Sequence, residues 1–158
     1  MRRRLRNDST PMKRPRVALY ACAGIAMLAV FSLARAVQCT VVTTSVAFGS
    51  YDPFANTATD GTGTVTVSCD VAATYTVAIN AGTSGSINRS LASGNRLLAY
   101  NLFVDATRTS VWGDGTAGTS RLSSSGTGAV HTVYARIPAL QNVTAGSYAD
   151  ALTVTLEF

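Results

Sequence analysis

Few residues in this chain have the types and spacing that chemistry requires. His131 is its single histidine. A hydrolase built on it would need an activated serine and an orienting carboxylate, yet the sequence has no Gly-x-Ser-x-Gly elbow and no aspartate marked as a partner. Beside Val130 and Val133, His131 reads as a surface or half-buried strand residue. Walker loops and paired-histidine zinc motifs are absent from the sequence. Asp60-Gly61 and Asp114-Gly115 look like fragments of calcium loops, but the regular array of carboxylates is missing and they read as turns. Asn88 and Asn142 head Asn-x-Ser/Thr triplets, read here as loop composition. The expectation is a protein without catalysis, cofactor or metal.

Cysteine chemistry is more informative. Cys22 falls inside an apolar run, "VALYACAGIAMLAVFSL" from Val17 to Leu33, which follows a basic stretch and ends at the small-x-small site Ala34-Arg35-Ala36. Residues 1–36 are therefore expected to be a secretory signal cleaved after Ala36, with Met12 as an alternative compact start. The competing reading is an uncleaved anchor, because the run approaches the roughly 20 residues that a membrane span needs. Membrane contact is expected only through this segment. Residues 37–158 then form one domain, large enough to bury a core. Cys39 and Cys69, the pair left in an exported chain, are expected to form a disulfide.

Charge follows the same division. The net charge of +5 suggests affinity for nucleic acid, but Arg2, Arg3, Arg4, Arg6, Lys13, Arg14, Arg16 and Arg35 all precede residue 37. Beyond it, five arginines face seven acidic residues, five minus seven giving −2, with no lysine at all. Nucleic-acid binding loses its electrostatic basis.

The elements that must position these residues are strands. Thr, Ser, Gly and Val dominate the body, and no stretch has convincing helical periodicity. Strands are predicted at 41–48, 64–69, 75–79, 97–104, 130–137 and 151–158, with a weaker one near 109–112. Turn chemistry separates them at "YDPF" (51–54), "TDGTG" (59–63), "NAGTSGS" (80–86), "WGDG" (112–115) and "SSSGTG" (123–128). The fold class expected is all-β, an immunoglobulin-like sandwich of six or seven strands. Val65, Val67 and Cys69 share one parity, as do Tyr75, Val77 and Ile79, so the Cys69 sulfur should point inward and the disulfide should staple the sheet from inside. Leu152, Val154, Leu156 and Phe158 alternate with Thr153, Thr155 and Glu157, giving the last strand one buried face. Running to the terminus, that strand would present an unpaired edge.

Several phrases recur together in one family. "CTV" at Cys39, "VAFGSYDP" (46–53), "GTVTVSC" (63–69), "YTVAINAG" (75–82), "LAYNLFVDATRTSVWGDG" (98–115), "VYARIPALQ" (133–141) and "AGSYADALTVTLEF" (145–158) follow in order over the whole body. On these the chain resembles the spore coat protein U domain of secreted coat proteins and archaic chaperone-usher pilus subunits. Ala135 stands where the family more often has glycine.

The resemblance implies a non-enzymatic surface subunit whose sandwich lacks its last strand and is completed by a donor strand. Leu152, Val154, Leu156 and Phe158 would form part of the chaperone and donor-strand edge, with the Phe158 carboxylate gripped by the chaperone. The implied partners are a periplasmic chaperone, an outer-membrane usher and other pilus subunits, and the implied destination is the cell surface by way of the periplasm. With only Val37 and Gln38 left ahead of Cys39, the mature chain is expected to accept a strand without donating one, as a terminal subunit or coat component. A coat protein outside any pilus is one alternative. A carbohydrate-binding sandwich using Trp112 and Tyr51 as stacking groups is another.

Overall fold

The computed structural model describes residues 36–158, Ser86 excepted. The basic stretch, the apolar run and Ala34 lie outside the described residues, whereas Ala36 lies within them and is exposed. Six strands form one curled antiparallel sheet: β1 (Cys39–Thr44), β2 (Thr59–Ile79), β3 (Arg89–Ser93), β4 (Arg96–Phe103), β5 (Leu122–Ile137) and β6 (Val154–Glu157). The order is β1-β2-β5-β4-β3, with β6 attached to β2. The all-β class is as expected.

Two long strands organise the molecule. β2 runs for 21 residues and β5 for 16, paired along most of their length, and their register shifts between Ser68 and Ala73. Cys69, Asp70, Val71 and Ala72 bulge there between the pairs that Ala73 and Ser68 make with Gly126 and Gly128 of β5. Both glycines have positive φ, 128° and 157°, conformations that side chains disfavour. The bulge bends the pair so that its two halves face a common interior.

The inward parity predicted for β2 holds on both sides of the bulge. Val65, Val67, Cys69, Tyr75, Val77 and Ile79 are all buried, and they pack with Leu98, Tyr100, Leu102, Val133, Ala135 and Ile137. Ala135 is fully buried opposite Gly61 in the β2–β5 ladder. Cys39 pairs directly with Cys69, Cα to Cα 4.0 Å, and the sulfurs are bonded.

Several boundaries differ from expectation. "TDGTG" is not a turn but the start of β2, and Asp60 there takes a bidentate ion pair from Arg136 at 2.7 and 2.9 Å. Instead of a loop, "SSSGTG" supplies β5, with Ser123, Ser124 and Ser125 opposite Thr76, Tyr75 and Thr74. The two strands foreseen at 64–69 and 75–79 are one. β3 was not foreseen, and 109–112 makes only isolated bridges, Val111 to Phe103 and Trp112 to Ser120. Where strand appears against weak local propensity, cross-strand pairing, which an isolated window does not contain, decides it.

Arg89 ties the far side of the sheet together. It is 1% exposed, and its guanidinium donates to the carbonyls of Ile79, Asn80 and Trp112 and to Asn101 Oδ1. Burial lowers its pKa, yet the four acceptors satisfy the charge.

Candidate functional site

β1 and β6 lie along the same edge of β2. β5 occupies the other edge, β1 pairs with Thr64–Cys69, and β6 pairs with Thr76–Ile79. After Thr44 the chain leaves this edge and crosses the inner face of β2 over Gly61 and Gly63. A Cβ at Gly63 would lie 2.9 Å from both the Thr44 carbonyl oxygen and a Val46 methyl carbon, so glycine is what permits the crossing. Residues 45–51 then run without a ladder partner, and Val46, Phe48 and Tyr51 pack inward.

The second unpartnered stretch leads into β6. Ala149 bridges Ala92, and Asn80 N–H donates to the Thr153 carbonyl at 3.0 Å while its side chain accepts from Thr153 N–H at 2.9 Å. Thr153 therefore turns its backbone groups toward β2, and by alternation so do Thr155 and Glu157. Those of Val154 and Leu156 point the opposite way, to an edge where no strand lies among the described residues.

Between these stretches opens a groove of about 1040 Å³ that reaches the core. Residues 45–51 form one wall and Tyr148–Val154 the other. Its floor includes Val65, Ile79, Leu98, Tyr100, Leu102 and Val133. Asp150 is the one charged side chain among the described residues lining it. Burial alone would raise the Asp150 pKa, but hydrogen bonds from Thr83 N–H and hydroxyl, Tyr100 hydroxyl and Ala151 N–H outweigh it and hold the carboxyl below its usual range. The Tyr100 hydroxyl is pushed in the opposite direction, first by burial and then by this bond, so it stays a donor. A largely apolar opening, with Asp150 its one charged lining group and unpaired main chain on its rim, is suited to an extended peptide.

The sequence-predicted residues divide. Leu152, Val154 and Leu156 are half-buried against the core at this edge, in the alternation expected. Phe158 is 61% exposed beyond the end of β6, so the expected burial of that side chain is not found. The other wall and the Tyr100–Asp150 pair were missed. The signal for the wall was the shared parity of Val46 and Phe48, whereas the Tyr100–Asp150 pair, 50 residues apart, leaves no local signal.

Other candidate chemistry is occupied elsewhere. His131 Nε2 meets the Tyr75 hydroxyl at 3.0 Å, and burial lowers the pKa of the ring. Trp112, expected as a possible sugar stacker, is 0% exposed and donates its indole N–H to the Val77 carbonyl at 3.0 Å. Tyr51 donates to the Pro138 carbonyl and accepts from Gln141 N–H. The carbohydrate reading loses the stacking face of Trp112, because packing of the β4–β5 connection needed the tryptophan inside.

Comparison with known proteins completes the description. The profile of the Spore Coat Protein U domain matches residues 25–155. Protein U of Myxococcus xanthus is 32% identical over 127 residues, covering 70% of each chain. Among solved structures, similarity extends to the chaperone–tip adhesion subunit pre-assembly complex CsuC–CsuE, from archaic chaperone-usher Csu pili of Acinetobacter baumannii. The TM-score is 0.58 at 24% identity over 78% of this chain, which spans 40% of that chain's length. The last similarity is one of fold.

Proposed function

The chain belongs to the Spore Coat Protein U domain family, and from that premise we propose that it is a non-enzymatic, exported subunit of a bacterial surface pilus or coat, accepting a strand from a partner. One observation carries the proposal: Val154, whose backbone groups with those of Leu156 face an open edge, lines a groove of about 1040 Å³ that opens onto the core. An inserted strand would pair with that edge and place alternate side chains between the walls. Each well-buried aliphatic side chain would contribute about 1.5–3 kcal/mol.

In this reading residues 1–36 export the chain, and a periplasmic chaperone covers the groove until the usher exchanges it for another subunit. Phe158, exposed at the end of the edge, is available as the chaperone's anchor. Membership of the Spore Coat Protein U domain family equally supports a coat component, in which the same groove joins neighbouring copies or partners.

Periplasmic expression with and without a pilus chaperone tests the proposal. Co-purification with the chaperone, and aggregation or proteolysis without it, is the expected result. A stable monomer exported at equal yield alone, with no chaperone bound, contradicts it.

A further inference from the structure

Tyr100 touches both walls of the groove. Its ring meets Phe48 edge-on, centroids 5.9 Å apart, and its hydroxyl donates to Asp150 Oδ2 at 2.8 Å. Phe48 belongs to the stretch that crosses Gly61 and Gly63, Asp150 to the stretch that enters β6, and the tyrosine itself to β4 beneath them. The side chain is 5% exposed, so the rigid sheet fixes it in place.

We propose that Tyr100 and Asp150 form a latch that sets the distance between the walls before any strand arrives, making them positioning residues for strand capture. The inference rests on the strand-accepting reading above. Neither wall is fully held by a ladder: 45–51 has no partner strand, and Ala149 makes a single bridge before β6 begins. Such stretches would drift or close over the floor of the groove, and an entering strand would have to reopen them at a cost in ordering. Asp150 resists this twice, through Tyr100 on one oxygen and through Thr83 N–H and hydroxyl on the other at 3.0 and 2.8 Å. Phe48 is braced by the same ring from the opposite side.

The latch makes a prediction that plain stabilisation does not. Spin labels on cysteines introduced at the exposed positions Ala47 and Thr153 report the wall-to-wall distance in the full chain without a partner. Y100F keeps the ring and removes only the hydroxyl, whereas D150N leaves one acceptor oxygen for three residues' donors. Both should broaden or shift the distance distribution. Synthetic peptides alternating valine or leucine with threonine serve as the strand probe. Their association should slow by roughly tenfold in Y100F, the size of one charge-assisted hydrogen bond, with dissociation nearly unchanged because the inserted strand then holds the walls. T83V, which removes one donor and leaves the Tyr100 bond, should have a smaller effect. Identical distance distributions in wild type and both latch variants overturn the proposal, as does a slowing confined to dissociation. Peptides that fail to bind the wild type, while the distances still shift, overturn the strand-accepting reading and with it the role of the latch.

Discussion

Val77 and Leu156 stand opposite each other in the β2–β6 ladder, yet Val77 is 0% exposed and Leu156 only half-buried. Directly paired residues share a face, so the core covers β2 completely and stops short of covering β6. The sandwich is open at this place.

Leu156→Asp puts a carboxylate beside Val77 at that edge. Because the site is partly open, the loss should be on the order of 2 kcal/mol, below the cost of a fully buried charge. A lowered urea midpoint with unchanged slope is expected. Replacing Thr155, on the opposite face, with aspartate should leave the midpoint nearly unmoved.

Cys39 and Cys69 close a 30-residue separation and fasten β1 to the centre of the sheet. Removing both by serine substitution should lower stability by about 3–4 kcal/mol on the chain-entropy account. Reduction of the wild type should reproduce the change in the same denaturation experiment. Equal midpoints for oxidised and reduced protein would show that the staple contributes nothing.

Arg89→Ala leaves the carbonyls of Ile79, Asn80 and Trp112 and the Asn101 side chain without their shared donor. A cost of about 3–5 kcal/mol is expected in the thermal or urea midpoint. Arg89→Lys should recover little of it, because an ammonium cannot reproduce the guanidinium fork.

His131 gives stability a pH dependence. Burial lowers its pKa in the folded protein, so below its ordinary value of about 6.5 the unfolded chain binds more protons. Stability should therefore rise with pH between the folded pKa and about 6.5 and level off above it. Urea midpoints across this range should lose that component in His131→Gln. An unchanged slope in the variant would assign it to other groups, while the carboxylates of Asp60 and Asp150, with lowered pKa values, act only in more acidic solution.

Residues with a repeated neighbour pattern were legible in the sequence. Val65, Val67, Cys69, Tyr75, Val77 and Ile79 declared their common face by parity, and the alternation of Leu152, Val154 and Leu156 survives intact. What failed depends on distant partners. Ser123–Ser125 have the composition of a loop and become strand only because Thr74–Thr76 pair with them. Asp60-Gly61 has the look of a turn, but Arg136 lies across the ladder and the chain at Ala47 needs the space above the glycine. Trp112 looked like a surface aromatic until the interior that encloses it was assembled. The Tyr100–Asp150 contact joins residues 50 apart, a relationship that local pattern does not encode.

Amide hydrogen exchange along β6, before and after adding the alternating peptides, tests the central claim most directly. Val154 and Leu156 point their N–H groups to the open edge, whereas Thr155 and Glu157 point theirs to β2. Strand capture should slow exchange strongly at Val154 and Leu156 and change it little at Thr155 and Glu157. Peptide binding that leaves Val154 and Leu156 exchanging as fast as before would contradict a groove that is completed by an added strand.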